Sequence, residues 1–304
     1  MPNNVIEIDG LVKYYEGRCV LDGIDLKVPR GCIYGLLGRN GSGKTTIIRI
    51  LLGLEPPTRG TTALLGQDST QLTAQTRGRI GYVAEGHHLI QNYRVRRLVS
   101  LCKGLAAHWD AAFFDHLMET FRLPMDRKVK DLSTGMRAQL NLALAMTVEP
   151  ELLVFDDPTL GLDTVARRQF LEMAIDLIQK QNRTILFSSH ILGDVERIAD
   201  RIGIIAAGKL VVDCELEELK NRVKKLQVLF PREAPEDLYI TEIINQRTEG
   251  REMVLTVANW NPQKRAILET FRPESFTELP MRLEDIFIEC TRPSSELVLE
   301  ESEV

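Results

Sequence analysis

The sequence lacks the features on which several large classes of protein depend. None of its apolar runs reaches the roughly 18 to 20 residues that a membrane-spanning helix needs, and the chain does not open with a basic flank followed by an apolar stretch. A formal net charge of −5 provides no basic surplus for binding nucleic acid. We therefore expect a cytoplasmic protein that binds no nucleic acid and reaches a membrane only through a partner.

Cysteine is also sparse and unpatterned. The five cysteines lie far apart and form no CxxC pair, which argues against zinc-ribbon and disulfide frameworks. We expect reduced thiols in packed positions. What the chain does contain is an ordinary hydrophobic fraction of 44% over 304 residues, enough for one large domain and a small one.

The pattern of apolar residues predicts two kinds of strand. Apolar and polar residues alternate in 6–8 and 24–28, which is typical of half-buried antiparallel strands. Short continuous apolar runs at 33–37, 152–155 and 185–188 are typical of buried parallel strands joined by helices. The sequence therefore predicts a small antiparallel layer beside a parallel core.

The remaining segments have a different pattern of apolar residues from this core. Residues from about 86 to 149 show helical periodicity and no strand signal, which predicts an inserted helical subdomain inside a first domain of residues 1–222. Strand-like pieces, a turn and one helix in 223–292 predict a small C-terminal accessory domain. The acidic, aromatic-poor residues 293–304 are predicted to form a disordered tail.

The strongest local signal is a glycine-rich loop that matches the pattern GxxxxGK[ST]. It follows the apolar run 33–37 and precedes a helical segment, which is the context that a phosphate-binding loop requires. Its glycines allow backbone N–H groups to converge on an anionic oxygen, Lys44 supplies a positive charge, and the Thr45 hydroxyl suits Mg²⁺. The predicted nucleotide-binding residues of this loop are Gly38, Arg39, Asn40, Gly41, Ser42, Gly43, Lys44, Thr45 and Thr46.

Two adjacent acids follow a second apolar run. Asp156 and Asp157 directly follow the run 152–155. A site that binds phosphate with Mg²⁺ needs such a carboxylate to hold the metal. The same acids could instead cap the next helix, since Pro158 and Thr159 follow them. Because the glycine-rich loop lies upstream in the same chain, we favour Asp156 as a magnesium ligand.

Further motifs resemble those of the ABC family of transport ATPases. Residues 132–136, Leu-Ser-Thr-Gly-Met, are similar to that family's signature LSGGQ and lie about twenty residues before Asp156, where the family carries it. The resemblance covers roughly residues 5 to 215. It implies an α/β fold of the P-loop NTPase type with a mixed β core, an antiparallel β subdomain, an inserted α-helical subdomain and a small C-terminal α+β appendage.

The resemblance also assigns roles to residues outside the glycine-rich loop. It implies that Tyr15 stacks on adenine, although an aromatic residue there could instead lie on the surface of the β layer. Leu160 to Asp163 resembles the D-loop, Glu85 occupies the Q-loop position, and His190 is expected to contact the γ-phosphate. The implied catalytic residues are Asp157, His190 and Glu85, the implied magnesium ligands are Thr45, Asp156 and Glu85, and Asp163 belongs to the D-loop.

In this family two subunits enclose two ATP molecules, each with Mg²⁺. The resemblance therefore implies a second subunit, as a homodimer, in which Ser133, Thr134 and Gly135 act on the nucleotide of the partner. It also implies an integral membrane permease that docks near Gly86 to Tyr93, with His87 among the contact residues. Docking would hold the protein at the cytoplasmic face of the membrane.

Residues 282–287, Arg-Leu-Glu-Asp-Ile-Phe, are similar to a segment of bacterial exporter-type (ABC-2-like) subunits. The resemblance implies export. It does not identify the transported substrate, because substrate choice normally depends on the membrane subunit.

Three positions depart from the family pattern. Asp157 stands where Glu is usual, which sets its carboxylate about one bond length back from an attacking water, so we predict slow ATP hydrolysis. Glu85 replaces Gln but keeps an oxygen for Mg²⁺, and Thr134 replaces a glycine of the signature. Two alternatives stay open: an ATP-binding regulatory subunit with little hydrolysis, and a non-transport ATPase of the same family.

Overall fold

Three β-sheets organise residues 4–181 and 183–291, which the computed structural model describes. The strands are β1 (Asn4–Tyr15), β2 (Arg18–Pro29), β3 (Ile33–Gly38), β4 (Arg59–Leu64), β5 (Gln67–Asp68), β6 (Ile80–Val83), β7 (Leu152–Asp156), β8 (Thr184–Ser189), β9 (Arg201–Ala206), β10 (Lys209–Glu215), β11 (Lys224–Leu229), β12 (Ile243–Glu249), β13 (Glu252–Val257) and β14 (Ser275–Leu279). The α-helices are α1 (Lys44–Leu51), α2 (Ala74–Arg77), α3 (Val95–Leu105), α4 (Ala111–Thr120), α5 (Thr134–Thr147), α6 (Thr164–Gln181), α7 (Leu192–Ile198), α8 (Leu216–Arg222), α9 (Pro262–Thr270) and α10 (Leu283–Cys290). In this described part of the chain, none of the helices combines the length and the apolar character needed to cross a lipid bilayer.

The first sheet is antiparallel and has the strand order β2-β1-β4-β5. A two-residue turn, Glu16-Gly17, joins β1 to β2, and both residues have the positive φ that a tight hairpin turn requires. The predicted alternation is confirmed in β1, where Ile6 and Ile8 are buried and Glu7 between them is exposed. One face of this sheet therefore packs on the rest of the molecule.

The second sheet has the strand order β10-β9-β3-β8-β7-β6 and is parallel except for the β9–β10 hairpin. β3, β7 and β8 are buried at every position, which explains their continuous apolar runs and confirms the prediction of buried parallel strands. Asp156 of β7 pairs with Ser188 of β8, and Gly38 of β3 pairs with Ile205 of β9. The carboxyl ends of these strands therefore share one edge, where open α/β sheets form their ligand sites.

The chain between β6 and β7 is helical, as its periodicity predicts. α3, α4 and α5 lie in this insertion, and Leu117 and Phe121 of the predicted apolar pattern are buried. Asp110 is the N-cap of α4, because its side chain accepts a hydrogen bond from the Phe113 N–H at 2.9 Å. α5 leads from the insertion back toward β7, so residues 133–135 stand at the start of a helix.

The last elements form a third, antiparallel sheet of order β12-β13-β11-β14, on which α9 packs. Its core includes Leu226 and Leu268. α10 then returns to the preceding part of the chain, where Ile286 joins the hydrophobic cluster beside α7. The division between residues 222 and 223 stays a prediction, and the predicted tail 293–304 lies outside the described residues.

Candidate functional site

A glycine-rich turn links the buried strand β3 to α1. Gly41 and Gly43 have φ angles of 79° and 106°, in the left-handed region that residues with a side chain seldom adopt. A Cβ at Gly43 would lie 2.5 Å from Leu21 Cδ2, and one at Gly38 would lie 2.3 Å from Ser42 Oγ. The turn therefore requires glycine at these positions, and it leads directly into the start of α1, where an anion is favoured.

Lys44 is the first residue of α1 and is only 8% exposed. Its Nζ donates a hydrogen bond to the Gly38 carbonyl oxygen at 2.7 Å. Burial lowers the pKa of Lys44, while the negative charges of Asp157, Asp156 and Glu85 act in the opposite direction. The fold thus brings the lysine of the loop close to three carboxylates that are distant from it in the sequence.

Asp156 ends β7 and is 2% exposed. Its Oδ1 accepts a hydrogen bond from Ser188 Oγ at 2.7 Å, whereas its Oδ2 is buried and has no hydrogen-bond partner among the described residues. A buried carboxylate oxygen without a partner is costly, and a hard cation such as Mg²⁺ suits it. The alternative role as a helix cap is wrong, because Asp163 caps α6 by accepting a hydrogen bond from the Ala166 N–H at 2.8 Å.

Asp157 and His190 form a pair beside Asp156. Asp157 Oδ2 lies 2.6 Å from His190 Nδ1, and Asp157 Oδ1 is buried without a hydrogen-bond partner in the described part of the chain. The N–H of Asp157 donates to the Ser188 carbonyl oxygen at 3.1 Å, which ties the two strand ends together. Asp157 has a φ of 51°, a left-handed conformation that costs of order 1 kcal/mol for a residue with a side chain.

A groove of about 580 Å³ runs beside the glycine-rich loop. The sequence predicts five of its lining residues: Tyr15, Arg39, Asn40, Gly41 and Ser42. It does not predict the others, which are Arg18, Cys19, Val20, Ile205, Ala206, Ala207, Gly208 and Thr291. The Glu16-Gly17 turn is a signal that could have identified Arg18, because this turn pairs Arg18 with Tyr15.

Tyr15 stands at the wall of this groove and is 39% exposed. Its hydroxyl donates a hydrogen bond to Glu55, and Lys13 Nζ lies 4.9 Å from the centre of its ring. Burial, followed by the hydrogen bond to Glu55, raises the pKa of Tyr15, so the phenol stays protonated. The structure places Tyr15 beside the loop, and its stacking on adenine stays a prediction. Thr45 and Thr46 occupy the first turn of α1 and are half-buried.

The signature residues stand at the start of α5. Ser133 caps α5, because its Oγ accepts a hydrogen bond from an N–H three residues later at 3.1 Å. Thr134 Oγ1 accepts from Arg137 Nη2 at 3.2 Å, and a Cβ at Gly135 would lie 3.3 Å from the Gly161 carbonyl oxygen. The last of these contacts connects the start of α5 to the D-loop of the same chain.

The segment Gly86 to Tyr93 differs from expectation at one residue. His87, predicted as a contact residue of a docking surface, is 2% exposed, and its Nε2 lies 3.1 Å from the Leu160 carbonyl oxygen. The prediction for His87 is therefore wrong, because a left-handed turn with a φ of 50° directs the ring inward. The exposed apolar side chain of the segment is Ile90, at 46%.

Comparisons with known proteins identify relatives of the chain. Residues 21–160 match the family model described as ABC transporter. The ABC transporter ATP-binding protein YtrB of Bacillus subtilis (strain 168) is 30% identical over 284 residues, which cover 93% of this chain and 97% of the relative. The bacitracin transport ATP-binding protein BcrA of Bacillus licheniformis is 36% identical over 226 residues, which cover 73% of this chain and 74% of the relative. A solved ATP binding subunit of an ABC transporter is similar with a TM-score of 0.66 and 27% identity, over 71% of this chain and 92% of that structure.

Proposed function

The chain belongs to the ABC transporter family of ATP-binding proteins, and we propose that it binds and hydrolyses MgATP to power export through a separate membrane subunit. Its α/β fold is that of the ATP-binding subunits of this family. The observation that carries the proposal is the cluster at the carboxyl ends of β3, β7 and β8. There Lys44, His190 and two buried carboxylates lie together, and each carboxylate has one oxygen without a hydrogen-bond partner among the described residues.

ATP is the proposed substrate. The N–H groups of residues 38–46 and the Lys44 amine would bind its phosphates, and Tyr15 would stack on its adenine. The residues fit Mg²⁺, because Asp156 offers a buried, unpartnered oxygen and Thr45 offers a hydroxyl, with Glu85 near enough to influence Lys44. When bound, Mg²⁺ would offset negative charge on the phosphate oxygens during transfer.

Asp157 is the proposed general base. Its Oδ1 has no hydrogen-bond partner among the described residues and can accept a proton from an attacking water, while Oδ2 is held by His190. If His190 donates through Nδ1 to Asp157 and through Nε2 to a phosphate, the ring must carry both protons. Since Asp is one methylene shorter than the usual Glu, we propose that hydrolysis is slow.

We propose that the second half of each nucleotide site comes from another copy of the chain. Ser133, Thr134 and Gly135 start a helix whose N–H groups can bind an anion, and Gly135 lies against the Gly161 carbonyl oxygen of the D-loop in its own chain. A two-fold dimer would bring them to the nucleotide held by the partner. Such a dimer would bury two MgATP molecules.

The membrane partner is proposed to dock on the segment Gly86 to Tyr93 at the cytoplasmic face. Ile90 is the exposed apolar residue of that segment, whereas His87 is not available for contact. Relatives named for bacitracin transport and for daunorubicin/doxorubicin resistance support export over import. The transported compound would be selected by the membrane subunit.

Binding of a fluorescent ATP analogue in the presence of Mg²⁺, combined with single-turnover hydrolysis of ATP, tests the proposal. Lys44→Ala should lower hydrolysis by about 10² to 10³-fold, the usual effect of removing one charge-stabilising donor. A wild-type chain that binds no nucleotide, or a Lys44→Ala variant as active as the wild type, would overturn it. Nucleotide binding without hydrolysis would instead support a regulatory subunit, the second candidate that Asp157 favours.

A further inference from the structure

His87 lies in the loop that follows β6, two residues after Glu85. Its neighbours Gly86 and His88 are exposed, but its own side chain is 2% exposed. The His87 N–H donates to the Ala84 carbonyl oxygen at 3.2 Å, and both Gly86 and His87 have positive φ. The loop therefore turns so that a single side chain is anchored inside the molecule.

That side chain contacts the D-loop. His87 Nε2 lies 3.1 Å from the Leu160 carbonyl oxygen, and burial is the main reason that the pKa of His87 is lowered. Because a carbonyl oxygen can only accept, Nε2 must carry a proton and donate it to Leu160. Nδ1 is buried and has no partner among the described residues, so the bond to Leu160 is the polar contact that holds the ring.

The D-loop in turn contacts the start of α5. Gly161 follows Leu160 and has a φ of 80°, and a Cβ there would lie only 2.6 Å from Thr134 Cγ2. A Cβ at Gly135 would lie 3.3 Å from the Gly161 carbonyl oxygen. Thr134 stands where the family signature has its first glycine, so its side chain fills the contact between the D-loop and the start of α5.

We propose that His87 is a positioning residue that links the Glu85 loop to the D-loop and, through the packing of Gly161 on Thr134, to the signature helix. The three segments would then shift together within one chain when nucleotide or a membrane partner displaces the Glu85 loop. This inference rests on the proposed function, since it assigns His87 to the assembly of the MgATP site between two copies. Among the described residues no hydrogen bond joins the His87 side chain to Lys44 or Asp157, so we expect it to act on turnover rather than on nucleotide binding to one chain.

The test measures turnover and nucleotide affinity separately for the purified full chain. His87→Ala should lower ATP turnover about five- to tenfold, the effect of one hydrogen bond, and leave the affinity for a fluorescent ATP analogue unchanged. His87→Gln, whose amide nitrogen can reach the position of Nε2, should recover most of the rate. His116→Ala is the matched control, because His116 is an exposed histidine on α4 and should behave as the wild type.

Wild-type turnover in His87→Ala, or no recovery in His87→Gln, would overturn the inference while leaving the proposed function intact. A wild-type chain that fails to bind the analogue would count against the proposed function instead. Thr134→Gly interrupts the linkage from the other side and should lower turnover, although it restores the glycine usual in the family. If the two losses simply add in the double variant, the residues do not share one linkage. A Thr134→Gly variant as fast as the wild type would also contradict the linkage. This second measurement is available even if His87→Ala does not fold.

Discussion

The acidic residues at the two ends of β7 differ in their hydrogen-bond and ion-pair partners. Glu151, before the strand, is paired with Arg79 through two hydrogen bonds of 2.5 and 2.8 Å and with Arg30 through one of 3.1 Å. These partners, Arg79 first, lower the pKa of Glu151 to about 2. Asp156, at the other end, is buried with one oxygen unpartnered among the described residues.

This difference separates a structural acid from the two acids that we propose to act in the nucleotide site. A carboxylate that has its charge and hydrogen bonds matched within the protein contributes to stability. Buried carboxylates with unmatched oxygens, such as Asp156 and Asp157, lower stability and are expected where a ligand or a reaction uses them. The amino end of the strand should therefore govern folding, and the carboxyl end should govern hydrolysis.

The largest expected effect is that of Asp157→Asn. An amide cannot accept the proton of an attacking water, so single-turnover hydrolysis should fall by about 10² to 10⁴-fold while the chain still binds MgATP. Glu151→Gln, at the opposite end of the same strand, is the control and should hydrolyse ATP at the wild-type rate. Equal losses in both variants would remove the distinction between the two ends.

The next effect concerns Asp156→Asn. Mutation of a residue that hydrogen-bonds to a metal ligand typically lowers metal affinity about 10 to 100-fold. Asp156 is proposed as a direct ligand, so its loss should raise the Mg²⁺ concentration required for hydrolysis by at least the same factor. Thermal unfolding without nucleotide should be unchanged or occur at a higher temperature, since one of the three negative charges clustered around Lys44 is removed. A clear drop in the unfolding temperature would show that Asp156 is a structural acid after all.

A smaller and opposite change is expected from Asp157→Glu. The longer side chain returns the carboxylate to the distance usual in the family, so turnover should rise, by up to about tenfold within the range of general-base effects. The comparison is made at saturating ATP and Mg²⁺ so that binding differences do not contribute. An unchanged rate would mean that the length of this side chain does not limit hydrolysis.

The smallest effect is on folding. Glu151→Gln should lower the free energy of unfolding by roughly 0.5 to 1 kcal/mol at neutral pH, because its ion pairs are partly exposed to solvent. Since the folded pKa of about 2 lies below the usual 4.5, this stability is present above pH 4.5 and is lost as the pH falls from 4.5 towards 2. Urea unfolding of both proteins across that range should show their difference disappearing, whereas a constant difference would exclude the pairing as its cause.

Prediction from sequence succeeded where a feature depends on residues that are close together in the chain. The buried strands β3, β7 and β8 follow from continuous apolar runs, and the start of α1 at Lys44 follows from the glycine-rich loop. Strands at the edge of the third sheet escaped prediction. Most residues of β12 are exposed, so its sequence carries little apolar alternation.

The position of helix α10 beside the groove is a second feature that could not be predicted from the sequence. The resemblance drew attention to residues 282–287, but no pattern there indicates that the helix packs beside α7 and brings Thr291 to the wall of the groove. That placement depends on Ile286 and Cys290 joining a hydrophobic cluster built from distant parts of the chain. A contact of this kind has no local sequence signature.

By itself the sequence determined the glycine-rich loop, the two acids at the carboxyl end of β7, and the family, because each is encoded by residue types at short, fixed spacing. The tertiary structure alone decided which acids are matched, that Asp157 pairs with His190, and that His87 turns inward to Leu160. Burial and hydrogen-bond partners arise only when distant segments pack together. For this reason two acids that look alike in the sequence can differ completely in what they do.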